Sequence, residues 1–185
     1  NSRGVNNIKD VRIYNNNIYL VTNTTIYVLS SDYNATEIDN RSVKDIGNPF
    51  FGIESFGINS QGKIYVLDGM TQEVSVFDNY ETNGWKYLFS WGKYGGVTSL
   101  EGFKTPVDLF IDSQDNIWIT DNGNHVIKKY TENGSWLMTL QHADLKNPIS
   151  TTVDDQGNIH VLTNTNVMKF KSDTTFLYSY NFRNS

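Results

Sequence analysis

Apolar residues recur along this chain in short runs built on one repeated phrase. It reads Asn17-Ile-Tyr-Leu-Val-Thr22, Lys63-Ile-Tyr-Val-Leu-Asp68, Asn116-Ile-Trp-Ile-Thr-Asp121 and Asn158-Ile-His-Val-Leu-Thr163, with the isoleucines at 18, 64, 117 and 159 spaced by 46, 53 and 42 residues. A period in that range marks an array of like units. Ahead of each phrase lies another apolar run (Val11 to Tyr14, Phe56 to Ile58, Val107 to Ile111, Ile149 to Val153). The two are joined by Asn15-Asn16, Asn59-Ser-Gln-Gly62, Asp112-Ser-Gln-Asp115 and Asp154-Asp-Gln-Gly157. Asn, Asp and Gly between β-type runs predict hairpins, because these residues tolerate the left-handed backbone that tight turns need. A third run follows (Ile26 to Leu29, Val74 to Phe77, Val126 to Tyr130, Val167 to Phe170), then a looser fourth (around Glu37 to Asp39, Tyr87 to Trp91, Trp136 to Leu140, Phe176 to Tyr180). The expectation is four antiparallel four-stranded meanders, approximately 5–45, 46–102, 103–144 and 145–185, in one all-β domain over 1–185.

Second strands such as Ile64-Tyr-Val-Leu67 are apolar on both faces, so each sheet is expected to lie between neighbours. Four-stranded sheets repeated in this way and stacked face to face are β-propeller blades. Hairpin pairing sets Ile13 against Ile18, Ile58 against Ile64, Ile111 against Ile117 and Val153 against Ile159, giving every blade one aliphatic face. The other face varies: Arg12/Tyr19, Gly57/Tyr65, Phe110/Trp118, Thr152/His160. Ile18, Ile64, Ile117 and Ile159 should be buried at equivalent places. Four blades close tightly, form an open arc or belong to a larger assembly, and a terminal blade with its aliphatic face outward needs a cover. Arg12, Ile13, Tyr19, Thr152, Val153 and His160 are therefore the candidates for an assembly face, with copies of the chain as the expected partner.

Phe89-Ser-Trp-Gly-Lys-Tyr-Gly-Gly96, Gly102-Phe-Lys-Thr-Pro106, Ile111-Asp112, Asn116-Ile-Trp-Ile-Thr-Asp121 and Asn124-His-Val-Ile-Lys-Lys-Tyr130 resemble one full NHL repeat with its linker. The second and fourth repeats match well and the first is degenerate; Val126 stands where the family often has Arg, and repeats one and four lack the Asp of Asp68 and Asp121. The resemblance implies a β-propeller, usually six-bladed, that serves as an interaction platform or occasionally as an enzyme. Some enzymes that resemble NHL propellers place metal ligands at the rim where Asp68, Asp121, His125 and His142 would gather. The reading preferred here is that the two carboxylates satisfy backbone amides of the following turn. Trp91 and Tyr94, in the linker, either pack between blades, the reading preferred, or stack on a sugar or peptide.

Composition narrows the chemistry. The 185 residues hold 15 Lys plus Arg against 20 Asp plus Glu, a net charge of -5, without the basic excess of a nucleic-acid surface. Lys128, Lys129, Lys169 and Lys171 read as ordinary solvated charges, so that Lys128→Ala should be nearly neutral. Zero Cys removes disulfides, thiolate metal sites and cysteine nucleophiles. No apolar run is long enough for a membrane span. Beginning at Asn1, the chain is expected to be a processed or excised product. The Asp112 and Asp154 turns lack the spacing of a calcium loop and are expected to bond their own backbone. His160 reads as a packed or edge side chain. No catalytic motif or cofactor motif is present, and no metal or cofactor is expected.

Four Asn-x-Ser/Thr sequons occur, at Asn23, Asn34, Asn40 and Asn133, about the number that chance alone gives in so Asn-rich a chain. Their places in turns and loops make them glycosylation candidates. The leading expectation is a non-catalytic extracellular or cell-surface module, structural or adhesive, that assembles head to tail and carries glycans. The alternatives are a peptide- or glycan-binding platform at the rim, and a lactonase- or lyase-like propeller enzyme.

Overall fold

The computed structural model describes residues 7–30, 35–38, 50–80 and 84–182. It forms sixteen strands in four sheets, each a meander in chain order. The first blade is β1 (Asp10–Tyr14), β2 (Asn17–Val21), β3 (Ile26–Leu29) and β4 (Ala35–Ile38), the second β5 (Ile53–Ile58), β6 (Ile64–Asp68), β7 (Glu73–Tyr80) and β8 (Gly84–Trp91). The third blade is β9 (Pro106–Ile111), β10 (Ile117–Asp121), β11 (Val126–Tyr130) and β12 (Trp136–Leu140), the fourth β13 (Pro148–Val153), β14 (Ile159–Thr163), β15 (Asn166–Phe170) and β16 (Phe176–Asn181). The one helical element among the described residues is a 3-10 turn at Asn122–Asn124. This is a β-propeller architecture of four-stranded antiparallel blades. Two compact units, Asn1–Trp91 and Gly92–Ser185, hold two blades each.

The turns explain the repeated polar phrase. Asn15 and Asn16 both have positive φ (46° and 60°), the two-residue hairpin turn that Asn favours. In the other three blades the side-chain oxygen of the first turn residue accepts two backbone N–H groups. Asn59 takes those of Gln61 and Lys63, Asp112 those of Gln114 and Asn116, and Asp154 those of Gln156 and Asn158, at 2.8 to 3.1 Å. The fourth turn residue is left-handed in each case (Gly62 φ 84°, Asp115 φ 60°, Gly157 φ 80°).

Hairpin register follows the expected pairs, Ile13 opposite Ile18, Ile58 opposite Ile64, Ile111 opposite Ile117 and Val153 opposite Ile159. Within the first unit the Tyr19 face of the first blade (Tyr19, Val21, Ile26, Val28) packs on Phe56, Ile64, Val66 and Phe77 of the second, with the Arg12 guanidinium 5.7 Å from the Phe56 ring centre. In the second unit the aromatic face of the third blade (Phe110, Trp118, Ile127, Leu140) packs on Val153, Ile159, Val161 and Phe170 of the fourth. At both joints the variable face of one blade thus meets the face of the next that carries its aliphatic hairpin pair, Ile58/Ile64 or Val153/Ile159.

Two expectations need correction. Ile64, Ile117 and Ile159 are fully buried, but Ile18 is 40% exposed and its partner Ile13 76%, because the aliphatic face of the first blade stands open. Lys128 is not a solvated charge: its side chain is completely buried, because the chain at Ser99 to Gly102 lies over its ammonium and takes its hydrogen bonds.

Candidate functional site

The buried carboxylates of Asp68 and Asp121 close each middle blade. Asp68 accepts the N–H groups of Met70 and Thr71 in the following turn, and those of Phe51 and Gly52 ahead of β5, at 2.6 to 3.1 Å. Asp121 accepts those of Lys104 and Thr105 ahead of β9, and the Asn124 side chain at 2.7 Å. In the fourth blade Thr163 does a reduced version of this work, accepting from Thr165 and Asn166. Carboxylates occupied by so many amides serve as anchors for the chain entering the blade. Among the described residues no group of three or more His, Cys, Asp or Glu is placed to hold a metal.

Lys128 belongs to the same anchor. Its ammonium donates to the carbonyls of Ser99 (2.7 Å) and Gly102 (2.5 Å) and lies 4.0 Å from the Asp121 carboxylate. Burial pushes its pKa down, and Asp121 opposes that shift. Tyr130 donates to the Leu100 carbonyl at 2.8 Å, so two β11 side chains grip one linker. The linker glycines have a steric reason: a Cβ on Gly95 would sit 2.9 Å from the Gly102 Cα, and one on Gly102 would sit 2.8 Å from the Gly95 Cα.

Of the rim candidates, Trp91 packs edge-on against Tyr65 and stacks on Phe89. Tyr94 is exposed, against the expectation that it packs between blades. His125 and His142 come together in one cleft of about 420 Å³, lined also by Val97, Asn124, Gln141 and Lys146. Asp68 and Asp121 do not line it.

Sequence reading missed a network that the third and fourth blades build alike. Asp112 Oδ2 accepts the Trp118 indole N–H at 2.9 Å and lies 3.3 Å from the Lys129 ammonium, which sits 4.7 Å from the centre of the Trp118 ring. Asp154 Oδ2 meets His160 Nε2 at 3.1 Å and the Lys169 ammonium at 3.2 Å. Burial by itself would raise the Asp112 carboxyl, but the hydrogen bonds from Trp118, Asn116 and Gln114 outweigh it and hold it below the ordinary value. The Asn158 side chain first, then His160, hold Asp154 well below. Trp118 is covered by the fourth blade; His160 lies open on the outward face of that blade, with Thr152 beside it. The signal was available: an Asp opens the turn six residues before each ring.

Of the assembly-face candidates, Ile13, Thr152 and His160 lie on open faces. Arg12 and Tyr19 face the second blade, and Val153 faces the third, so these three are corrected to internal joints. Asn23 and Asn133 are exposed; Asn34 and Asn40 lie outside the described residues. No helix among the described residues is long and apolar enough to cross a membrane.

No protein-family model matches the chain, and no curated protein matches it. Solved structures do. A streptogramin B lyase superposes with a TM-score of 0.70 at 13% identity, over 93% of this chain and 53% of that one. The hydrazine synthase of Kuenenia stuttgartiensis gives 0.73 at 11%, over 99% and 53%. A nidogen/laminin complex gives 0.61 at 14%, over 90% and 60%. These neighbours are β-propellers, which supports the fold, and the chain spans about half their length; the NHL family is not shown. The expectation of a non-catalytic chain is corrected, because enzymes stand among these neighbours. A propeller can draw reacting groups from separate blades, so the lack of a contiguous motif does not argue against catalysis.

Proposed function

We propose that the chain is a propeller-building interaction module whose copies join head to tail, the outward face of the fourth blade of one copy on the open aliphatic face of the first blade of the next. One observation supports this reading: the Asp154–His160–Lys169 network repeats on an open face the Asp112–Trp118–Lys129 network that the fourth blade covers in the same unit. The missing complement, an aliphatic hairpin like Val153/Ile159, is what Ile13 and Ile18 present in the open. Joining unlike faces is heterologous and gives rings or filaments. The fold also occurs in an assembly, the nidogen/laminin complex. The proposed setting is extracellular, with glycans at the exposed Asn23 and Asn133.

The test is sedimentation of the chain and of two variants, Ile13→Asp and Tyr178→Asp, the latter on the outward face of the fourth blade beside Lys169. Each variant alone should lose long assemblies, and an equimolar mixture should form heterodimers, because each keeps one sound face. A monomer at all concentrations overturns the proposal and points to a further blade of a longer polypeptide as the cover. Loss in Ile13→Asp alone, without rescue on mixing, overturns it in favour of an isologous contact.

A further inference from the structure

The cleft shared by His125 and His142 plays no part in the proposed assembly. His125 adopts a left-handed backbone (φ 57°, ψ 41°), as does Asn147 (φ 47°), whose N–H donates to His125 Nδ1 at 3.2 Å. His142 is held in the same manner: its Nδ1 accepts the Asp144 N–H at 3.2 Å, and its ring stacks on Phe176 with centroids 4.7 Å apart. The Asp144 carboxylate is 3.8 Å from that nitrogen, farther than the N–H that already occupies its lone pair.

A neutral imidazole has one lone-pair nitrogen. With Nδ1 spent as an acceptor in both rings, both Nε2 atoms carry a proton and act as donors. Neither ring can then ligate a metal through Nε2 without giving up its backbone clamp. Lys146 adds an ammonium, Gln141 adds an amide, and no carboxylate lines the cleft. Val97, Val126, Ala143 and Leu145 supply its apolar lining.

We infer that this cleft binds a small oxyanion, a carboxylate or a phosphate group, through the Nε2–H donors of His125 and His142 with Lys146 supplying charge. The two clamped rings are fixed before the ligand arrives, so little ordering cost falls on binding.

The test is side-chain NMR of the three histidines in the whole chain. Long-range nitrogen spectra should show His125 and His142 as Nε2–H tautomers. Titration with inorganic phosphate and, separately, with acetate should move their Cε1–H signals saturably, while His160, held by Asp154, serves as the internal control. The anion that saturates at the lower concentration identifies the source. His142→Phe keeps the stack on Phe176 and removes the donor; His125→Asn keeps a residue that tolerates the left-handed backbone. Each should weaken the anion by about tenfold. Nδ1–H tautomers, shifts that never saturate, or equal shifts of all three histidines overturn the inference.

Discussion

The third and fourth blades hold the same four-residue network, yet one copy is roofed and the other open. Asp112, Asn116, Trp118 and Lys129 correspond one for one to Asp154, Asn158, His160 and Lys169, with matching donors on Oδ2. The difference lies in what surrounds them. Under a second sheet the ring is Trp and it and Asp112 are buried, with Lys129 keeping part of its surface in water; on the open face the ring is His and both it and Asp154 are partly exposed. The other face of the third blade goes further, with Lys128 and Asp121 fully buried, where the fourth blade has Met168 and Thr163. Covered networks of this kind fix geometry at a high penalty for any missing member, whereas open ones cost little to break.

The strongest way to break the contrast is Lys128→Met, which transplants the residue of the fourth blade. It leaves the buried Asp121 carboxylate without its cation and the Ser99 and Gly102 carbonyls without a donor, so the loss should be about 3–5 kcal/mol. Adding Asp121→Thr removes the orphaned charge, and the double variant should lose clearly less than the sum of the two single ones. Urea unfolding of the four proteins measures the coupling; strict additivity would mean that the pair is not a unit.

Next in size is the pair Asp112→Ala and Asp154→Ala. The first strands the buried Trp118 N–H and should cost about 2–3 kcal/mol; the second should cost clearly less, because water replaces the lost acceptor. Equal losses would show that the roof over the third blade does not matter.

Acid sharpens the comparison in the other direction. Both carboxyls have folded values below the ordinary 3.8, so the stability they add is complete above that value and is lost as pH falls through the folded one. Burial works against the depression at Asp112, whereas Asp154 is held lower by Asn158 and His160, so the roofed network should give way first. In spectra taken from about pH 5 downward, the Trp118 indole N–H should shift before the Asp154 carboxyl titrates. The reverse order would contradict the assignment of causes.

Much of this was legible in sequence, and the gaps have a physical shape. Alternation and the Asn-rich turns gave strand pairing down to Ile13 opposite Ile18, because a hairpin with a defined turn has only one register. Alternation shows that a strand has two faces; it does not say which neighbour lies over each. Hence alternation alone leaves Tyr19 and Val153 as candidates for outer faces and Ile18 for a buried one. Lys128 could have been caught: adjacent lysines on one strand point to opposite faces, and a strand sandwiched on both sides must bury at least one of them. The rim gathering of His125 and His142 was legible, but the absence of Asp68 and Asp121 from their cleft was not, since strand spacing does not show that these carboxylates are taken up by backbone amides.

The smallest expected effect on the monomer is His160→Trp, which gives the open network the ring of the closed one. Trp keeps a single N–H donor for Asp154, so the network survives, and the ring gains no roof within its own unit; stability should change by under about 0.5 kcal/mol. Association should change far more. If the outward face of the fourth blade receives Ile13 and Ile18 of another copy, the larger ring buries more apolar surface there, as Trp118 does beneath Val153 and Ile159. Self-association measured by sedimentation should tighten by about tenfold while the melting temperature at low concentration stays put. A stabilised monomer with unchanged association would mean that the ring found its cover within its own chain, and that this face joins nothing.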